Sequence, residues 1–298
     1  MKTRVFVLLA MQLVAGTVRA ADAQKFVIGA HCYCGLFAVL LQTLNTLDWA
    51  NRTGKVPVVY WDNLPYAQRG GYRGETNVWH YYFQPVSNLA YQKGDSIYRH
   101  YATPDSSPCP EGEKTYDEKF HTGLRLYYHE IIKKNVRLQP RINRKMWDFY
   151  VANMSGKQLI GIHLRGTDKH VDAIPIDPAI IFKAAQELAA TLGGNCKFFV
   201  ASDEYRLITL AQQHLGHDRV IYYDAQRSTN GSPVHLTKGN ALVGEQVLIE
   251  AQLLSKCDYF LHTMSNVATG VLLFNPKLKS IFFHQDKDKG LIVRPHLD

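Results

Sequence analysis

The chain has 298 residues, of which 46% are hydrophobic and 20% charged, and its formal net charge is +8. This composition is that of one or two folded domains and excludes a disordered chain, and no repeat at solenoid periods is present. Three basic residues fall within residues 1–20, which hold no acid, so the remaining chain carries +5. Such an excess suits anionic small molecules, and the lack of basic runs interleaved with aromatics argues against nucleic acid.

Residues 1–20 have the layout of a signal peptide or a membrane anchor. Lys2 and Arg4 precede an apolar run from residue 5 to 18, and small residues follow near Ala20. The run is short for a membrane span, and no other segment approaches that length. We therefore expect the secretory pathway (Golgi or ER lumen) if the source is eukaryotic, and a membrane-tethered or exported protein if it is bacterial.

The first half of the chain predicts two strands and three helices. Apolar runs at 25–30 and 56–61 read as buried strands, and residues 36–52 repeat apolar side chains at helical spacing. Residues 62–115 are rich in Gly, Pro, Tyr and Asn and read as irregular. Helices are expected at 118–135 and 141–153.

The second half alternates strands and helices more regularly. Strands are predicted at 158–164, 197–201, 220–223, 259–262 and 280–283, with helices at 178–192, 204–215 and 245–254. This order predicts an α/β fold with mostly parallel sheets. We expect two Rossmann-like domains, 21–154 and 155–298, facing a cleft, with ligands at the carboxyl ends of the strands.

The five cysteines do not indicate a disulfide framework. Cys196 and Cys257 adjoin predicted strands and read as small core residues. Cys32 and Cys34 are not expected to bond each other across one residue, and either is able to pair with Cys109. No Cys/His set has the spacing of a zinc site, so no metal centre is predicted.

The strongest functional signal is the run of polar and charged residues, 163–169, at the end of the predicted strand 158–164. Alternation along the strand places His163 and Arg165 on the same side. Arginine offers a planar fork of donors that fits a diphosphate. Asp168 either orients Arg165 or holds a ribose hydroxyl, and a plain salt bridge between the two is the structural alternative.

Other polar residues also follow strands or begin helices. Asp203 ends a strand and is able to accept from a ribose or base, unless it only caps the next helix. Glu250 either accepts from a nucleobase or lies on a solvated helix face. Ser265 and Asn266 lie at the start of a predicted helix. They either form a phosphate-binding site with the free backbone N–H groups there or only cap the helix.

The segment from His163 to Lys169 resembles the donor-binding motif of the fucosyltransferase superfamily, namely the α1,6-fucosyltransferase and NodZ-like enzymes and the related protein O-fucosyltransferases. That motif reads roughly His-Val-Arg-Arg-Thr-Asp-Lys, and here Gly166 replaces the second arginine. The resemblance covers residues 155–285 with motifs in order. It covers residues 25–62 loosely, where Gly35 remains from a Gly-rich first turn.

The resemblance implies a GT-B-like, inverting, metal-independent transferase that moves fucose from GDP-fucose to a hydroxyl of a glycan or glycoconjugate, without a cofactor. Residues 155–298 would bind the nucleotide sugar and residues 21–154 the acceptor. Arg165 would neutralise the leaving diphosphate, and Asp172 would be the base, with Asp168 and Glu75 as substitutes. The implied donor-binding residues are Gly35, His163, Arg165, Lys169, Asp203, Glu250, Ser265 and Asn266.

Two other functions and one further feature stay open at this point. A non-catalytic nucleotide- or glycan-binding protein would keep the same fold. An enzyme that transfers another activated group, such as sulfate, would carry a phosphate-cradling loop after its first strand, and this sequence lacks that loop. An aromatic cluster at residues 79–83 is either a platform for acceptor sugar rings or a packed loop core.

Overall fold

A computed structural model describes residues 24–62, 64–100, 102–105, 122–167, 174–234 and 239–297. The predicted leader at 1–20 lies outside these ranges, as do Asp168, Lys169, Asp172 and Cys109. Within the described ranges, no helix is both long enough and apolar enough to cross a bilayer.

The first half of the chain builds a small parallel sheet with order β2-β1-β3. Its elements are β1 (Lys25–Ile28), α1 (Leu36–Arg52), β2 (Val56–Val59), α2 (Val78–Tyr82) and β3 (Ile97–Tyr98). Both α2 and β3 fall in the region predicted to be irregular. They are too short to show a period, and α2 starts because the Asn77 side chain accepts a hydrogen bond from the Trp79 N–H.

Two helices lead into the second half, α3 (Thr122–Asn135) and α4 (Pro140–Asn153), the latter with Pro140 at its first turn. The remaining elements are β4 (Leu159–Leu164), α5 (Pro178–Thr191), β5 (Lys197–Ser202), α6 (Tyr205–Leu215), β6 (Val220–Ile221), α7 (Ala241–Leu254), β7 (Tyr259–Thr263), α8 (Asn266–Phe274), β8 (Lys279–Asp286) and β9 (Gly290–His296).

The second sheet has the order β6-β5-β4-β7-β8-β9. Strands β4 to β8 run parallel, and β9 returns antiparallel beside β8. From β4 the chain first builds outward through β5 and β6, then crosses to the other side of β4 as β7. The gap between the ends of β4 and β7 is therefore a switch point, where α/β sheets bind ligands. The sequence did not predict β9, an edge strand whose Pro295 weakens the strand pattern.

The core joins the two halves of the chain. One face of the second sheet packs on α5 and α6 in a separate apolar cluster. The other face belongs to a larger cluster that runs through α7 and α8 into α1 and the first sheet. Helix α8 approaches α1 so closely that a Cβ on Gly270 would overlap the ring of Phe37.

The predicted α/β fold with parallel sheets is confirmed. The division into domains 21–154 and 155–298 stays a prediction. Cys196 and Cys257 are buried, as expected. The aromatic side chains at positions 79 and 81–83 are buried in the core, on α2 and the residue after it, so the acceptor-platform interpretation is wrong.

The prediction that Cys32 and Cys34 do not bond each other is also wrong. The two form a disulfide, because the turn between β1 and α1 brings their Cα atoms to 5.5 Å. That separation lies within the usual range for a disulfide.

Candidate functional site

A cavity of about 400 Å³ lies at the switch point of the second sheet. The ends of β4 and β5 and the start of α8 form one wall, through Arg165, Asp203 and Asn266. Residues 33–38 also line the cavity, as do residues of α7 that include Glu250. The cavity therefore lies between the two halves of the chain.

Two helix N-termini open onto this cavity. Gly35 is the N-cap of α1 and makes no side-chain capping bond, and the Leu36 N–H donates to the Tyr66 hydroxyl at 3.0 Å. Ser265 caps α8 by accepting from the Val267 N–H at 3.2 Å. The first residues of both helices line the cavity. Their backbone N–H groups and helix dipoles favour an anion there.

Arg165 supplies the positive charge. It is half-buried just after β4, and it is the sole lysine or arginine among the described residues of the lining. His163 lines the same cavity, two residues earlier and on the same side, and is buried. His262 is its partner across β4 and β7, and burial lowers the pKa of His262 to about 3, so that imidazole stays neutral.

Asp203 fixes the backbone that carries Arg165. Its carboxylate accepts from the Gly166 N–H at 2.8 Å and from the Thr167 hydroxyl at 2.7 Å. It does not cap α6, whose N-cap is Glu204. Asp203 also lines the cavity. Its clearest role is thus to hold the loop after β4 at the cavity wall.

Gly166, which replaces an arginine of the resembled motif, is matched to its surroundings. A Cβ at this position would lie 2.6 Å from the carboxyl carbon of Glu204. Glu204 is buried and forms an ion pair with Arg206 at 3.2 Å. The space in which a second arginine would begin is therefore filled by an acid from the neighbouring strand end.

Glu250 forms a buried ion pair with Arg227, and the two side chains are 8% and 3% exposed. The alternative of a solvated helix face is wrong. Arg227 also donates to the Tyr223 and Ala225 carbonyls at 2.9 Å, so it ties the segment after β6 to α7. Burial raises the pKa of Glu250 to about 8, against the opposing effect of Arg227.

The structure brings most of the predicted residues together. Six line the cavity, namely Gly35, His163, Arg165, Asp203, Glu250 and Asn266. Ser265 is buried as the cap behind Asn266 rather than in the lining. Glu75 is not in the lining either, and its carboxylate contacts His80 at 3.3 Å.

Sequence reasoning missed Tyr66, Arg227, Gln226 and Gln246. The first two lie in segments without periodicity, so no pattern signalled that the fold would bring Tyr66 to α1 or Arg227 to Glu250. Both glutamines line the cavity, and the Gln246 side chain accepts from the Gln226 N–H at 3.0 Å.

The acids of the cavity do not gather into a metal site in the described part of the chain. Among the described residues, a group of three possible metal ligands does occur in the turn after β1, formed by His31, Cys32 and Cys34.

No protein-family model and no curated protein matches the sequence. Solved structures do match the fold. The fucosyltransferase NodZ from Bradyrhizobium aligns with a TM-score of 0.56 and 15% identity over 92% of this chain and 99% of that chain.

NodZ α-1,6-fucosyltransferase soaked with GDP-fucose gives a TM-score of 0.55 and 15% identity, over 92% of this chain and 100% of that chain. POFUT1 in complex with GDP gives a TM-score of 0.50 and 11% identity, over 85% of this chain and 95% of that chain. Likeness at such low identity establishes architecture. The chain thus has the GT-B-like fold that NodZ and POFUT1 share.

Proposed function

We propose that this protein is an inverting glycosyltransferase that transfers fucose from GDP-fucose to a hydroxyl of a glycan or glycoconjugate, without a metal ion. One observation carries the proposal. A single cavity at the switch point joins Arg165, two helix N-termini and the buried carboxylate of Glu250. This combination suits a nucleoside diphosphate, and solved proteins of the same fold hold GDP or GDP-fucose.

The diphosphate fits the cationic part of the site. The guanidinium of Arg165 is able to donate two parallel hydrogen bonds to phosphate oxygens, and the N-termini of α1 and α8 add backbone donors. Negative charge grows on the β-phosphate as the bond to the sugar breaks. A preorganised cation therefore stabilises the transition state more than the ground state.

The base fits the acidic part of the site. A guanine presents N–H donors along one edge, and the Glu250 carboxylate is an acceptor held in place by Arg227. Gln246 adds amide donors and acceptors from the same helix face. Asp203 lies in the cavity lining, and its carboxylate has about four acceptor positions. Two of these accept from Gly166 and Thr167, so the others are able to accept from a ribose hydroxyl.

Inversion requires one displacement at the anomeric carbon. The acceptor oxygen forms its bond to that carbon while the bond to the diphosphate oxygen breaks, and a base takes the acceptor proton. Asp172 is the proposed base, with Asp168 as the substitute, and Lys169 is the proposed second phosphate contact. Arg165 supplies the charge neutralisation that a metal ion provides in other transferases.

We propose further that residues 1–20 are a signal peptide or anchor that delivers the enzyme to the secretory lumen, or tethers it to a bacterial membrane. Sequencing the mature N-terminus after expression in the native host checks this part. A new N-terminus near Ala21 supports cleavage, and an intact Met1 on membrane-bound protein supports an anchor.

The decisive experiment measures release of GDP or UDP from a panel of nucleotide sugars with EDTA present. We expect turnover of GDP-fucose by the wild type and a loss of about 10²–10³-fold in Arg165→Ala, the usual cost of removing a transition-state donor. Arg52→Ala is the matched control, because Arg52 lies at the end of α1 away from the cavity and pairs with Asp48 one turn earlier on the same helix.

The outcomes separate the alternatives. GDP that raises the melting temperature without any sugar release favours the non-catalytic binding protein. If no nucleotide is released from any donor and GDP does not raise the melting temperature, a nucleotide-sugar site in this cavity is refuted. Activity that disappears with EDTA and returns with a divalent cation refutes metal independence alone.

A further inference from the structure

The turn between β1 and α1 holds an unusual group of side chains. His31, Cys32 and Cys34 place one potential ligand atom each within 4.8 Å of one another. All three residues are half-buried, and Cys34 lines the cavity described above. In the structure the two sulfurs are joined as a disulfide.

Reduction of this disulfide would create a three-ligand set for a soft divalent cation. Zinc binds thiolate sulfur at about 2.3 Å and imidazole nitrogen at about 2.0–2.1 Å, so two sulfurs on a tetrahedral zinc lie roughly 3.8 Å apart. Separations within 4.8 Å need only small side-chain rotations to reach that arrangement. Three protein ligands leave the fourth zinc position open.

The surroundings favour the forms of these residues that bind metal. Cys34 immediately precedes Gly35, the N-cap of the 17-residue helix α1. The positive end of a helix dipole is a favourable place for a negatively charged thiolate ligand. His31 adds an imidazole nitrogen, the other ligand type that zinc binds alongside thiolate sulfur.

We propose that His31, Cys32 and Cys34 form a zinc site that is available only when the Cys32–Cys34 disulfide is reduced. A dithiol reductant attacks one sulfur, passes two electrons to the pair and leaves as its own cyclic disulfide, which yields two thiols. Zinc then displaces two protons from these thiols. The spacing of these residues in the sequence did not predict a metal site, and the site does not depend on the proposed transferase activity.

The position of the site gives it a consequence for the cavity. Cys34 and Gly35 form part of the cavity wall, so metal bound at this turn occupies its rim. The fourth zinc position is open to water or to an anion in the cavity. The redox state of the turn thereby decides whether a divalent cation is held beside the bound ligand.

The test compares oxidised protein with protein reduced by a dithiol and desalted without oxygen. Zinc is titrated against a chromophoric chelator, and we expect about one additional zinc per chain in the reduced protein. Cobalt(II) gives a second readout, because thiolate ligation produces a charge-transfer band that water and imidazole ligands do not.

Variants assign the ligands. Cys32→Ser/Cys34→Ser is expected to lose the additional zinc and the cobalt band, and His31→Ala to weaken binding at least tenfold. Cys196→Ser is the matched control, because Cys196 is a buried thiol outside the cluster. Reduced wild type with its thiols alkylated serves as the reference if the double variant does not fold.

Three results would overturn the proposal. One is equal zinc stoichiometry in oxidised and reduced protein, and another is a cobalt complex without a thiolate band. The third is peptide mapping without reduction that finds Cys32 or Cys34 bonded to Cys109, since the pair would then not act as the gate.

Discussion

Removing the negative charge of Glu245 is the most exacting test of how the two halves of the chain are joined. Glu245 on α7 is 0% exposed, yet it receives hydrogen bonds from Arg141 and Lys145 on α4 and from the Tyr72 hydroxyl. The Lys145 and Tyr72 bonds measure 2.6 Å and 3.1 Å. We expect Glu245→Gln to remove the charge while keeping the shape.

The magnitude follows from the exposure of the partners. Breaking a buried ion pair by changing one member costs about 3–5 kcal/mol. Arg141 and Lys145 are 26% and 42% exposed, so they recover part of their hydration. The expected loss is therefore near the lower limit, about 3 kcal/mol, which corresponds to a fall of roughly 6 °C in Tm for a chain of this size.

The pH dependence of stability gives a second, independent readout. Burial opposes ionisation of Glu245, but the hydrogen bonds from Lys145 and Arg141 outweigh it and hold the pKa of the carboxyl below its ordinary value. A depressed pKa means that this contribution is present above the unfolded pKa and is lost as the pH falls through the folded pKa. Glu245→Gln should flatten that acid limb.

Urea unfolding at several pH values measures both effects. Glu130→Gln is the matched control, because Glu130 is exposed and pairs with Lys133 on the helix surface. Such a surface pair contributes about 0–1 kcal/mol. If Glu245→Gln costs no more than the control, or if its acid limb matches that of the wild type, the reasoning about this buried carboxylate is refuted.

Three further outcomes test the cavity and its supports. Gly270→Ala should lower stability by about 1–3 kcal/mol in urea unfolding, because the new methyl group overlaps Phe37; an unchanged midpoint would contradict the close helix approach. Asp203→Asn should cost about 1.5–3 kcal/mol by weakening the bond from the Gly166 N–H, and calorimetry should show weaker GDP binding. GDP affinity should rise between about pH 7 and about pH 9 as Glu250, whose pKa is raised to about 8, ionises, and a Glu250→Gln variant should show no such rise.

The sequence predicted the second half of the fold well because its elements are long or strongly apolar. The strand β4 and the helix α5 were placed to within about one residue, since buried parallel strands and amphipathic helices carry clear periods. Helix α2 was missed because its five residues are too few to show a helical period. The edge strand β9 was missed because Pro295 interrupts its strand pattern.

The candidate site was predictable where chemistry follows a strand end and hidden where it depends on tertiary approach. Arg165 and Asp203 stand directly after strands, so the parallel sheet alone brings them to one edge. Arg227 reaches Glu250 from an irregular segment, and no local pattern encodes that meeting. The Cys32–Cys34 bond likewise depends on the path of a turn that residue spacing does not specify.

The apolar cluster that runs from the first sheet through α7 and α8 makes the two halves mutually dependent for folding. Separate expression of residues 155–298 would leave the faces of Leu248 and Leu272 that pack in this shared cluster exposed to water. Such a fragment should aggregate rather than report on nucleotide affinity. The same continuity lets the cavity walls keep their spacing before a ligand arrives, so less conformational entropy is lost on binding.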